Sequence, residues 1–283
     1  TDATASANVW TNVGDGFGDV GNKPFGGLGG GTVSGYVTGG YGHLGSGPTV
    51  NIIEKYSLTS DGNASDIANL TRVGEDLSGT SSTTHGYTSG GSISSTPQDT
   101  IDKFTFASDA DATDVGNLTS ARRTPATSSS TTHGYTSGGL GSVYSNIIDK
   151  NSYATDGNSV DVGDIIVARA FAAGQSSNTH GYINGGGSPS SNVIERFPFA
   201  TDGNSIDVGD MTSARYGVGG NSSTTHGYIS GGAPTLDIID KFAFASTSNA
   251  TDIGNLTVGR RYLDGCSSTT HGYICGGSGP SRS

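Results

Sequence analysis

Apolar and polar positions alternate in short runs that return at a regular distance along the chain. At the end of Thr100-Ile101-Asp102-Lys103-Phe104-Thr105-Phe106 and of Ile194-Glu195-Arg196-Phe197-Pro198-Phe199, the aromatic residues alternate, Phe104 with Phe106 and Phe197 with Phe199, which predicts a pleated strand packed on one face. Two markers measure the repeat. The Tyr of His-Gly-Tyr stands at 87, 135, 182, 228 and 273, with a variant copy at Ser34-Gly35-Tyr36, so successive intervals are 51, 48, 47, 46 and 45 residues. The Ile of Ile-Asp/Glu-Lys/Arg stands at 53, 101, 148, 194 and 239, and each lies 34 residues before the next marker Tyr. All length variation therefore falls between the Gly-Gly that follows the Tyr and the next Ile. One loop per repeat varies while the rest keeps its length.

Each repeat reads as four strands. Strand A follows Ala121-Arg122, Ala168-Arg169 or Ala214-Arg215 and ends in a Ser/Thr-rich turn. Strand B is Gly-Tyr-x-x-Gly-Gly, whose paired glycines predict close backbone approach near the centre of the fold. Strand C is Asn-Ile-Ile-Asp-Lys with its apolar followers, and strand D is Asp-Val-Gly-Asn/Asp followed by an aliphatic residue. Asp156-Gly157 and Asp202-Gly203 mark the tight C–D turns. Four strands in 45 to 51 residues, used six times, predict an all-β six-bladed β-propeller in a single domain. The blades run 24–71, 72–119, 120–166, 167–212 and 213–258, and the sixth joins 259–283 to 1–23. In that closing blade the C-terminal segment supplies strands A and B. Asn8 to Val13 and Asp19 to Asn22 supply strands C and D, which covers an otherwise open edge. The start at Thr1 rather than Met reads as processing, excision or partial coverage of a longer chain.

Composition agrees with a thin, radially distributed core. Glycine fills 48 of 283 positions and hydrophobic residues only 31%. The formal charge of −11 and the absence of a basic run argue against nucleic acid and anionic membrane surfaces as partners. No apolar stretch approaches the roughly 18 residues of a membrane span, and no signal peptide is visible. The only cysteines, Cys266 and Cys275, fall in neighbouring strands, which leaves both a cross-strand disulfide and free thiols open.

Connectivity assigns the candidate chemistry to faces. The A–B and C–D turns lie on one side and carry repeated Ser/Thr-His and Asp-Gly-Asn sequences. The B–C and D–A loops lie on the other, where Tyr41 and His43, Ser92 to Gln98, and Leu140 to Ser145 with Tyr144 supply variation. Loops held on a rigid scaffold are the usual seat of recognition, so this is the expected binding face. Arg72, Arg122, Arg169, Arg215 and Arg260 also begin strand A there, and are candidates for hydrogen bonding to acidic or hydroxyl groups. The competing and favoured role is structural: each pairs with a blade aspartate such as Asp114 or Asp161 and joins adjacent blades. The repeated histidines, dispersed around a ring, cannot converge on one metal and read as turn residues. Asp202 to Asp207 lacks the ligand alternation and distal Glu of a calcium loop. Six Asn-x-Ser/Thr sequons, at Asn63, Asn69, Asn117, Asn221, Asn249 and Asn255, are expected by chance in this composition. No nucleophile elbow, phosphate-binding loop or zinc spacing is present, so neither an enzyme nor a cofactor is expected.

The order of Arg-led strand, Tyr-x-x-Gly-Gly, Ile-Asp-Lys-Phe, turn and Asp-Val-Gly-Asp resembles the kelch repeat across essentially the whole chain. It departs by lacking the kelch Trp of the last strand, since the only Trp is Trp10, assigned to strand C. With the following Leu-Thr-x-Ala-Arg, the pattern is similar to repeats in virion structural proteins of marine cyanophages and related tailed phages. That resemblance implies a structural or adhesive tail-fibre component at a virion surface or extracellular location, whose partners are other virion proteins and host-surface glycan. A secreted glycan-binding lectin is the alternative. A kelch-type oxidase is a third reading, for which no Tyr-Cys copper site can be assigned.

Overall fold

The computed structural model describes residues 34–40, 49–187, 189–268 and 270–279, and these form strands, turns and loops with no helix. Strands β1 (Ser34–Thr38), β2 (Ile52–Ser57) and β3 (Ser65–Asn69) make a three-stranded antiparallel sheet. Four-stranded sheets follow. The first is β4 (Ser78–Ser81), β5 (His85–Ser89), β8 (Thr100–Thr105) and β9 (Thr113–Asn117), with the hairpin β6 (Ser92–Ile93) and β7 (Thr96–Pro97) in its B–C loop. The next are β10 (Ala126–Ser129), β11 (His133–Ser137), β12 (Ile147–Ser152) and β13 (Val160–Asp164), then β14 (Ala173–Ser176), β15 (His180–Asn184), β16 (Val193–Pro198) and β17 (Ile206–Asp210). Then come β18 (Gly219–Ser222), β19 (His226–Ser230), β20 (Ile238–Ala243) and β21 (Thr251–Asn255), and last the pair β22 (Arg261–Ser267) and β23 (Gly272–Ser278). Strands A to D fall where the repeat predicts them. The predicted strand A of blade 1 and the N-terminal strands of the closing blade lie outside the described residues.

The sheets are joined face to face by one interlock used repeatedly. Tyr36, Tyr87, Tyr135 and Tyr182 each stack on the aromatic that directly follows the next sheet's strand C, namely Phe106, Tyr153, Phe199 and Phe244, at 4.7 to 4.8 Å between centroids. The Tyr135 and Tyr182 hydroxyls donate to the carbonyls of Phe199 and Phe244. Tyr273 of the last sheet donates in the same way to the Leu58 carbonyl of the first (3.2 Å), so the sixth sheet meets the first and the ring closes as a propeller. At that seam Tyr56 packs between Cys266 and Cys275. Its hydroxyl bonds the Cys266 sulfur and stands 3.8 Å from that of Cys275. Both cysteines are free and buried.

Close packing explains the glycines. A Cβ on the Gly of His-Gly-Tyr would stand 2.3 Å from the strand-C ring beneath it: Phe104 under Gly86, Phe197 under Gly181, Phe242 under Gly227. At the axis the A strands touch through Gly174, Gly220 and Gly265, where a Cβ would meet the neighbouring blade's backbone at 2.1 to 2.7 Å. The close approach at the centre thus belongs to strand A. The strand-B pairs serve elsewhere. They adopt positive φ (Gly138 64°, Gly139 107°) and lie at the loop face, the second under the arginine of its own blade.

Candidate functional site

The candidate arginines divide according to what their blade provides. Arg122, Arg169 and Arg215 are buried and pair with the strand-C acid of the same blade: Arg122 with Asp149 at 2.9 Å, Arg215 with Asp240 at 3.1 Å, and Arg169 with Glu195. Arg72 stands two residues earlier in its repeat than the others, yet its guanidinium reaches the equivalent Asp102 at 3.4 Å and donates to the Gly90 carbonyl at 2.6 Å. The predicted partners were the strand-D residues Asp114 and Asp161, joining blades. The observed pairs lie within one blade, because a side chain leaving the D–A loop runs outward over strand B and meets strand C first. The acids are held from a second side as well: Thr119 and Thr212 each donate a backbone N–H and a hydroxyl to Asp149 and Asp240. Where Ile166 replaces that Thr, the acid is the longer Glu195, which also accepts from the Ser205 hydroxyl. Burial raises the Asp102 carboxyl pKa despite the Thr71 hydroxyl and Arg72. These groups are engaged with one another beneath the loops and are not presented to solvent. Arg260 donates to the Gly276 carbonyl. Tyr144 is half-buried in the Leu140–Ser145 loop, while Tyr41 and His43 lie outside the described residues.

The histidines are turn residues. In His85, His133, His180, His226 and His271 the ring Nδ1 lies 2.8 to 2.9 Å from the hydroxyl of the preceding Thr, and the backbone N–H donates to a Ser hydroxyl three residues earlier. Burial lowers the pKa of the first four, aided by Lys103, Lys150, Arg196 and Lys241 respectively. The Asp-Gly-Asn turns are likewise committed: Asn158 and Asn204 accept from the backbone N–H of Asn117 and Asp164 of the preceding blade. Asp202, in the calcium-like stretch, pairs with Lys150 at 2.7 Å. Among the described residues no group of three or more His, Cys, Asp or Glu could hold a metal ion.

The feature that sequence reading missed lies at the axial opening on the B–C and D–A face. One residue in each of five blades there, at Asp76, Thr124, Phe171, Gly217 and Tyr262, has φ between 51° and 63°. Each passes a backbone hydrogen bond to the next: Thr124 N–H to Asp76, Phe171 to Thr124, Gly217 to Phe171 and Tyr262 to Gly217, at 2.7 to 3.1 Å. These five residues border a recess of about 70 Å³ lined also by Leu77, Pro125, Ala172, Val218 and Asp264. At the opposite end of strand A a second belt forms from serine hydroxyls that accept from the neighbouring blade's backbone, through Ser129, Ser176, Ser222 and Ser267. The Ser/Thr-rich turns therefore also carry inter-blade contacts.

Three half-exposed rings gather at the upper belt. Phe171, Tyr216 and Tyr262 stand 5.6 to 6.2 Å apart at interplanar angles of 54° to 60°. The Arg261 guanidinium lies 5.3 Å over the Tyr262 ring, and Arg123 pairs with Asp76 at 3.4 Å. The five belt positions each stand 11 residues before a marker Tyr, so their spacing was visible in the sequence. Their shared conformation was not, since only Gly217 advertises a positive φ. Val143, Ile166 and Val167 are exposed apolar side chains on the same face, on two loops joined by the Arg169 N–H to the Ser145 carbonyl. No family model and no curated protein matches the sequence.

Proposed function

We propose that this propeller is a non-catalytic recognition module of a virion surface or tail fibre, which presents its B–C and D–A loops and axial opening to a host surface or a neighbouring virion protein. One observation carries the reading. At the upper belt the backbone is the same in five blades, but the side chains are Asp, Thr, Phe, Gly and Tyr. A non-glycine residue in this conformation costs about 1–2 kcal/mol, and such strain concentrates where a protein binds. In contrast, the ionisable residues that repeat from blade to blade are occupied in ion pairs and turns. The likeness of the Tyr-x-x-Gly-Gly and Ile-Asp-Lys-Phe pattern to tailed-phage virion proteins, and a rigid closed ring suited to a surface particle, support the location.

The test is physical association. Antibody against the chain should decorate purified phage particles in electron micrographs, and the protein should sediment with them through a density gradient. Recovery only as a free secreted protein would overturn the virion assignment in favour of the secreted-lectin reading.

A further inference from the structure

Within the recognition-module reading, on which it rests, the axial opening has a composition that selects among ligand classes. We infer that it binds the terminal residue of a neutral saccharide, with Phe171, Tyr216 and Tyr262 receiving the apolar face of the sugar ring and Asp76, Arg123, Asp264 and Arg261 bonding its hydroxyls.

The rings come first. Elsewhere the repeat spends its aromatic residues between blades: Tyr87, Tyr135 and Tyr182 are at most 1% exposed. Phe171 and Tyr262 instead stand half-exposed in the lining of the recess, and the half-exposed Tyr216 ring lies 6.0 and 6.2 Å from theirs. The belt's backbone bonds do not depend on the side chain of Phe171 or Tyr262. Gly217 occupies the same position with φ 63° and makes the same belt hydrogen bonds, so a bare backbone suffices there. A pyranose has one face of C–H groups that packs on such a surface, as apolar rings pack on each other.

Charge then narrows the class. Although the chain carries −11 overall, among the described residues the carboxylates of Asp76 and Asp264 at the recess are accompanied by two guanidiniums, Arg123 paired with Asp76 and Arg261 over the Tyr262 ring. Glu75, beside Asp76, is buried and lies against the Ser92 hydroxyl behind the rim. A polyanion would meet Asp76 and Asp264, and a polycation would meet Arg123 and Arg261. A hydroxyl both donates and accepts, so mixed carboxylates and guanidiniums suit a polyol. Size limits the mode. At about 70 Å³ the recess is far below the roughly 300 Å³ of a pocket that engulfs its ligand, so it seats one exposed sugar residue rather than a whole oligosaccharide.

The experiment uses the full chain on an array of neutral, sialylated and sulfated glycans, followed by saturation-transfer NMR with the best neutral oligosaccharide. The neutral class should bind, and Phe171→Gly and Tyr262→Gly should each weaken it by about tenfold, the scale of one lost aromatic contact. Both variants should keep the parent's melting temperature, because Gly217 already shows glycine at this position, so loss of binding will not reflect loss of fold. A blank array, preference for charged glycans, or unchanged binding by the glycine variants would overturn the saccharide assignment. Blank arrays with protein still found on virions would remove the ligand but not the module. Glycan binding that depends on these rings in a protein absent from particles would do the reverse.

Discussion

The interlock between blades and the belt at the axial opening are built on equally regular backbones, but they treat side chains in opposite ways. Between blades the Tyr and the aromatic it stacks on, and within each blade the buried Arg-acid pair, recur because each fills a space that its neighbour defines. A Cβ on Gly86, Gly181 or Gly227 would stand 2.3 Å from a ring, so identity is dictated there. At the opening, the backbone bonds from Asp76 through Thr124, Phe171 and Gly217 to Tyr262 are the same whichever side chain stands there, and the side chains differ at every step. Regular backbone with irregular side chains is how a symmetric scaffold acquires a specific surface.

The largest effect should come from the charge buried within a blade. Arg122→Ala leaves Asp149 buried without its cation and should lower stability by about 3–5 kcal/mol in denaturant unfolding. A loss below 1 kcal/mol would show that the repeated pair is dispensable and would erase the contrast. Next, Gly174→Ala places a Cβ 2.1 Å from the Thr127 carbonyl of the adjacent blade and should cost about 1–3 kcal/mol by overpacking at the axis.

A smaller effect should follow pH. In the folded chain His85, His133, His180 and His226 bind protons less readily than the ordinary value near 6.5, while the unfolded chain takes them up there. Stability should therefore hold above pH 7 and fall as pH drops through 6.5 toward the folded values. Calorimetry from pH 7.5 to 5 should show this, and the four His→Gln changes together should flatten it. The smallest effect should be Thr124→Gly at the belt. Relief of a positive φ of 51° offsets the entropy that glycine brings, so thermal unfolding should shift by less than about 1 kcal/mol. A large loss would place the belt's side chains in the scaffold after all.

The blades were legible because their period is set by covalent spacing: 34 residues from Ile to Tyr survive every change of loop. Arg72 shows the limit of that reading. It falls two residues out of step, and its reach to Asp102 depends on side-chain length that no spacing expresses. The serines Ser129 and Ser176 read as turn formers, although their hydroxyls also accept from the backbone N–H groups of the preceding blade. Cys266 and Cys275 left two states open. In the structure they are offset by two positions along the β22–β23 ladder, with Tyr56 of the first blade against both sulfurs. Hydrogen bonding to Cys275 and burial raise the Cys266 thiol pKa, which suits inert packing at the seam.

By itself the sequence determined the repeated unit, its strand order, its single variable loop and the face on which that loop emerges, because hydrophobic alternation and turn chemistry are local properties. Only the tertiary structure decided which acid each arginine meets, which glycines face the axis, and that five unlike residues share one conformation around a common opening. Those relations join blades, or strands separated by long loops, and arise from the closing of the ring, which no window of sequence contains.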